Sequence, residues 1–558
     1  MPEQRSLDSV VITVDGAPLA AALYPRITRV LVEESVHLPD AFTVRFDDAH
    51  FELFDEDRFR PGTHIEIAFR ADGDPVMVTA GEVTSVSVTP GVSGRHELVL
   101  GGLDLTHRLT RGPKTRSFTR MSDADIASRI AGEYGLDTDI DATDETREYV
   151  LQAGETDYGF LRRLADRIGF DLWVGDRTLH FKRRPSARST APSLRWGDNL
   201  LDFTVRCASA EHCDEVVVTA WDPVDKRTIT GRATDPDHGT DAPVAADMAD
   251  AARRAFGRVS RRAGHVPVAS QAEADAFARS LLWRASGAEV VLRGEAVGNP
   301  LIAAGAQVKL ERVGNRLSGT YRVTGVEHDY GSGRPYTTRF TCGAKDAGEL
   351  ADLLGGNSGS GGDGAGAVGG RHDGKGLTVG VVTNNDDPEH LGRVKVKFPT
   401  LSGEDESNWA RVAAPGAGGQ RGMQWLPEVD DEVLIGFESG DRNRPFVLGG
   451  LWNRGDVPPV PAPTRDGKVT ERLLVSRKDH RLVFTDDPAG SVRLSLGDGD
   501  CALTLEKSES SLEAEQTLTI SARRIEIKAG EKLVLGAPEV EVSARSELKA
   551  TGNPIRLN

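Results

Sequence analysis

Several residue spacings in this chain suit catalysis or ligand binding, and each lacks something the chemistry requires. His96-Glu97 opens the two-histidine, one-glutamate pattern of a zinc protease, but position 100, where the second histidine must stand, is Leu. Cys207 and Cys213 flank His212, a sulfur and nitrogen set that suits zinc; no second ligand pair lies nearby, so buried free thiols are expected. Gly364-Ala365-Gly366-Ala367-Val368-Gly369 matches a dinucleotide fingerprint, and Gly369 through Gly374-Lys375 nearly matches a phosphate-binding loop. Neither follows a strand or opens a helix, and Gly376 stands where the phosphate loop needs Ser or Thr. No G-x-S-x-G nucleophile elbow occurs, and the abundant carboxylates carry no glycosidase cleft signature. The expectation is a protein without an enzymatic site, metal or cofactor.

The elements that would position any site are mostly β. A chain of 558 residues exceeds one core, so three or four domains are expected. Aromatics are sparse at 6% while Gly (61) and Pro (28) are plentiful, which suits strands joined by many turns. A formal net charge of −17 repels phosphate and anionic lipid, so nucleic acid is not an expected partner. Four scattered cysteines give no disulfide framework, and neither a signal peptide nor a run of about 18 apolar residues is found. Assembly in the cytoplasm follows, with movement elsewhere left to a machine.

Residues 1–110 alternate short β-prone runs with Asp-Gly and Pro-Gly turns. Ser122 caps a helix that buries Ile126 and Ile130 and stops at Gly135. Thr156 caps another, with Phe160, Leu161, Leu164 and Ile168 on one face, ending at Gly169. Residues 194–345 form a second β-rich block with one helix near 271–286. Half of the positions in 355–376 are Gly, which reads as a flexible linker, and 455–463 is a Pro-rich connector.

The stretch 387–453 orders four features: Leu391-Gly392-Arg393-Val394; Ser407-Asn408-Trp409-Ala410-Arg411-Val412; Leu426-Pro427-Glu428-Val429-Asp430-Asp431-Glu432-Val433; and Asn443-Arg444-Pro445-Phe446-Val447-Leu448-Gly449. This string resembles the oligonucleotide/oligosaccharide-binding (OB) barrel of contractile-tail spike proteins, the VgrG family and its myophage relatives. The segment Glu155-Thr156-Asp157-Tyr158-Gly159-Phe160-Leu161 through Gly169-Phe170 resembles the hub signature of the same family. Arg393, Lys395 and Lys397 alternate along one strand and read as a solvated face rather than a ligand groove.

From 492 onward, aliphatic residues alternate in pairs: Leu494/Leu496, Leu503/Leu505, Leu518/Ile520, Ile525/Ile527, Leu533/Leu535, Val540/Val542, then Leu548 and Ile555/Leu557. The steps from 518 to 555 are seven or eight residues, which predicts one short strand and a turn, repeated. Strands with one apolar face and open edges cannot seal themselves within one chain. Three chains wound into a β-prism would, and the resembling family has a trimeric β-helix; this segment lacks that family's Val-x-Gly octads.

The resemblance implies a mainly β, multidomain α+β protein. Its expected parts are hub barrel one with a helical insertion (1–190), hub barrel two (191–350), linker (355–376), OB collar (377–455), connector (456–480) and β-helical needle (481–558). It implies a homotrimeric hub and spike of a contractile injection apparatus. The partners would be a hexameric tube protein at the hub, baseplate components, effector cargo and a PAAR-like tip protein docked at Ile555, Arg556, Leu557 and Asn558. About twenty-five residues separate Trp452 from the needle, too few for an inserted lysozyme domain. The rival expectations are a tail module recognising surface glycan and, third, a cell-wall hydrolase. The particle would assemble in the cytoplasm and be released or propelled into a target cell.

Overall fold

Alternation of apolar and polar residues builds the first sheet. The computed structural model describes residues 10–556 except 57, 71–73, 91–95, 144, 184–191, 211, 265–267, 344–375 and 401–404. The 355–376 linker with its two glycine motifs lies outside the described residues, Gly376 excepted, as do Leu557 and Asn558. Strands β1 (Val10–Val14), β2 (Ile27–Ser35), β3 (Ala41–Asp47), β4 (His64–Phe69) and β6 (His96–Asp104) bury every second side chain over most of their length, while β5 (Val76–Pro90) buries 79–83 in a row. Ile12, Val30, Phe42, Phe46, Ile67, Phe69 and Leu100 meet in one core.

A helical insertion follows, on a two-stranded ribbon of β7 (Lys114–Ser122) and β8 (Thr146–Glu155). Helix α1 (Asp123–Glu133) starts at Ser122, whose Oγ accepts the Asp125 N–H at 3.1 Å while the Asp125 carboxylate accepts the Ser122 N–H at 3.0 Å. Helix α2 (Asp157–Ile168) is capped by Thr156 and stops at Gly169, whose φ of +73° suits a residue without Cβ. Both helices bury the predicted faces, Ile126 and Ile130 on α1 and Phe160, Leu161 and Leu164 on α2.

The second β-block contains β9 (Leu200–Cys207), α3 (Pro243–Phe256), α4 (Gln271–Gly287), β10 (Val290–Val297), β11 (Gly319–Gly331) and β12 (Thr337–Cys342). Its core is separate, around Leu292, Tyr321, Val323 and Phe340. The two blocks nevertheless share a 13-stranded sheet whose order runs β9-β10-β12-β11-β2-β3-β6-β5-β4-β1 before a two-residue strand at Ala17–Pro18. They meet along the antiparallel pair β11 and β2. A buried ionic knot ties the insertion to α4. Glu273 accepts from Arg147 at 2.8 Å and pairs with Arg167 at 2.5 Å, while Arg147 also grips Asp123 at 2.8 Å. Burial alone would raise the Glu273 pKa, but Arg167 and Arg147 outweigh it and hold the carboxyl below its ordinary range.

Strands β13 (Thr378–Asn384), β14 (Arg393–Lys397), β15 (Ala410–Val412), β16 (Glu432–Phe437) and β17 (Pro445–Gly450) form a closed barrel in the order β13-β14-β15-β17-β16. Val382, Val394, Val396, Ala410, Val433, Ile435 and Val447 fill it. Met1–Leu451 forms one compact unit and Trp452–Asn558 another. Both β-blocks and the barrel lie within the first unit.

In the second unit, β18 (Glu471–Val475), β19 (Arg481–Thr485), β20 (Ser491–Ser495), β21 (Cys501–Glu506) and β22 (Ser510–Ala514) make a five-stranded antiparallel sheet in chain order. This corrects one expectation: the sheet begins at Glu471, inside the stretch read as connector, because Glu471-Arg472-Leu473-Leu474-Val475 is itself a strand. Leu494, Leu503 and Leu505 stand in its antiparallel hairpins. Beyond β22, no strand or helix is present among residues 515–556 of the single chain.

Candidate functional site

The Leu391-Gly392-Arg393 motif is a loop closed on one carboxylate. Asp387, 5% exposed, accepts the backbone N–H groups of Glu389 (3.1 Å), Leu391 (3.0 Å) and Arg393 (3.3 Å). It also accepts the Arg393 guanidinium through Nε at 2.9 Å and Nη2 at 2.7 Å. The Arg393 guanidinium is the main cause that holds Asp387 far below the usual carboxylate range; burial opposes it and the backbone donors add to it. Gly392 takes φ +70°, a left-handed turn within the loop whose three alternate donors converge on Asp387.

The other motif residues support this loop or the barrel wall. Arg393 and Lys395 lie over the Trp409 ring at 5.9 and 5.5 Å, and Arg411 lies over Phe446 at 5.4 Å. Lys395 also pairs with Glu406 at 3.4 Å, so Arg393 and Lys395 are both engaged inside the chain. Val394, Val433 and Pro445 are buried and Val412 packs against the core. The Pro427 carbonyl accepts from Asn385, and Asp431 Oδ2 accepts the Glu428 N–H at 2.7 Å. Glu432 and Gly449 sit opposite Val381 and Leu434 in the ladders, and Leu391 is exposed.

The ladder residues present the opposite situation. Leu474, Leu482, Leu494, Leu503 and Leu512 are successive cross-strand partners, a leucine row over all five strands of the second unit's sheet. Phe484, Val492 and Leu505 form a second row beside it. Four of the five leucines are exposed, Leu494 to 54%, and Leu496 and Leu505 are exposed too. Leu518, Ile520, Ile525, Ile527, Leu533, Leu535, Val540, Val542, Leu548 and Ile555 are each at least half exposed. Ala502 is the one buried hydrophobic residue among the described residues of this unit. The sequence pointed to the ladder but missed Leu474, Leu482 and Leu512, whose neighbours do not repeat at a fixed step.

Clusters that resemble chemistry are structural. Asp157 accepts from Lys114, Arg116 and Tyr134, each at 2.6 Å, and from Gln152 at 2.8 Å, which leaves it no reacting position at the start of α2. His212 Nδ1 lies 3.1 Å from Glu289, whereas the Cys213 thiol donates to the Glu215 carbonyl at 3.0 Å. Burial raises the Cys213 thiol above its ordinary range. His96 stacks on Phe51 with ring centroids 4.4 Å apart. Among the described residues no group of three or more His, Cys, Asp or Glu could hold a metal ion.

Residues 378–452 match the type VI secretion system/phage-baseplate injector OB domain. The chain is 32% identical over 113 residues to the type VI secretion system spike protein VgrG3 of Vibrio cholerae, which covers 19% of this chain and 11% of that protein. It is 34% identical over 79 residues to the spike protein VgrG1a of Pseudomonas aeruginosa, covering 13% and 12%. The matches therefore span about a tenth of these relatives' length. A chain from the Francisella PdpA-VgrG complex, half-lidded, superposes with a TM-score of 0.50 at 9% identity, covering 90% of this chain and 88% of that one, a likeness of fold. The barrel match and these identities make the chain similar to VgrG spike proteins of contractile injection systems. Residues 4–331, more than half of the chain, match the Alg8 N-terminal domain, and the chain belongs to that family.

Proposed function

We propose that this chain is the homotrimeric central hub and spike of its injection apparatus. The hub would meet a hexameric tube, since two β-blocks in each of three chains give six similar units around an axis. The observation that supports trimer formation is the second unit's aliphatic ladder, which has almost no core within one chain. Burying each Leu, Ile or Val of that ladder is worth about 1.5–3 kcal/mol, and neighbouring copies can supply the cover. The action is mechanical: the spike is driven through a target envelope, and no chemical step is assigned to it.

The distal residues Ile555 and Arg556, with Leu557 and Asn558, form the docking end for a PAAR-like tip protein. Open strand ends and an apolar residue from each chain are what a small β-structure can pair with. Sedimentation of the purified chain tests the assembly: a species near three times 60.0 kDa is expected, and a stable folded monomer at micromolar concentration would overturn it. Deleting residues 548–558 should abolish capture of the cap while the trimer persists. A truncated spike that keeps its cap would place docking elsewhere.

A further inference from the structure

The barrel grips the hub through the edges of the ribbon β7–β8. Leu151 of β8 and Ser117 of β7 stand opposite one another, and their N–H groups donate outward to barrel side chains. The Leu151 N–H donates to Asn443 Oδ1 at 2.6 Å, and the Ser117 N–H and Oγ donate to Asp405 Oδ1 at 3.2 and 3.1 Å. One rung of the ribbon is thus held on both free edges at once. Two residues along, the Ala153 carbonyl accepts from Arg442 at 2.9 Å.

Side chains on the same ribbon face complete the contact. Tyr149 donates its hydroxyl to the Glu406 carbonyl at 2.6 Å, and burial, with Asp405 and Glu406 nearby, keeps its phenol protonated well above the ordinary range. Leu151 and Ala153 are each 3% exposed but lie outside the insertion's hydrophobic core, whereas Val150 belongs to it. A third anchor reaches the second β-block, where Arg444 donates to the Val268 carbonyl at 2.8 Å. The Asn443-Arg444-Pro445 signature therefore has a physical role: it covers a strand edge that would otherwise be open.

We propose that this two-edged clamp, rather than the glycine-rich stretch between Cys342 and Thr378, carries force between hub and barrel, so that the two remain joined when that stretch is cut. Asn443, Arg442 and Asp405 are then positioning residues of the injection apparatus. The inference holds whether one chain or three are present, so it stands apart from the trimer reading. A recognition site for a sequence-specific protease, inserted between Gly361 and Gly362, tests it in the full chain. After complete cleavage the two fragments should co-elute in size exclusion. Asn443→Leu, close in size but without the acceptor, leaves the buried Leu151 N–H unsatisfied and should weaken fragment association about tenfold, and with Asp405→Ala the fragments should separate. The uncut variants serve as folding controls by circular dichroism, and the cleaved unaltered protein needs no substitution. Separation of the cleaved unaltered fragments would overturn the proposal, as would unchanged co-elution of the cleaved double variant.

Discussion

The two units of this chain bury their apolar residues in different ways. Met1–Leu451 encloses five hydrophobic clusters and ties its helices with buried ion pairs, so it has cores of its own within one copy. Trp452–Asn558 contributes only Ala502 to the buried hydrophobic set among its described residues and displays its Leu, Ile and Val outward. The first unit is built to hold shape alone. The second leaves an apolar face uncovered within one copy, and on the proposed reading other copies cover it.

Charge in the ladder should break the contrast most completely. Replacing Ile525 and Ile527 with Asp would bury unpaired carboxylates wherever copies meet, and sedimentation should then report monomer alone while the first unit stays folded. A smaller effect is expected in the hub. Glu273→Ala removes the carboxylate that Arg147 and Arg167 share, leaving Arg147 with Asp123, and should cost about 3–5 kcal/mol of first-unit stability in denaturant titration. Asp387→Asn in the barrel loop should cost about 1–3 kcal/mol, because Arg393 loses its bidentate carboxylate and keeps only Glu389 as a charged partner. Since the folded Asp387 pKa is depressed, its stabilisation is present above the ordinary carboxylate range and is lost as pH falls through the folded value. The Asn variant should therefore flatten the acid limb of barrel stability. Gly392→Ala, at φ +70°, should cost about 1 kcal/mol in the same assay, with ordinary contact to Leu426 at 3.7 Å.

What the sequence made legible was local. Ser122, Thr156 and Gly169 marked helix ends because capping is a contact between near neighbours. Helix α3 escaped because its buried face is Val244, Ala245, Ala249 and Ala252, small side chains with weak periodic contrast, although Pro243 and Gly257 bracket it. The barrel string was recognisable, yet Asp387 did not stand out, since its role lies in donors that converge only once the loop has turned. The seven- and eight-residue steps of 518–555 predicted short strands that the single chain does not form, and the antiparallel hairpins of 471–514 lie outside that repeat. The clamp on β7–β8 joins residues such as Leu151 and Asn443, 292 positions apart, which no local pattern encodes.

The most direct measurement is hydrogen exchange of backbone amides in residues 516–556 of the purified protein. Within one chain, these described residues form no strand and no backbone hydrogen bond. If copies wind together, interchain pairing should slow exchange there to the rate of the first unit's core strands. Exchange across 516–556 at the rate of an open chain, at concentrations where the protein is intact, would contradict the account.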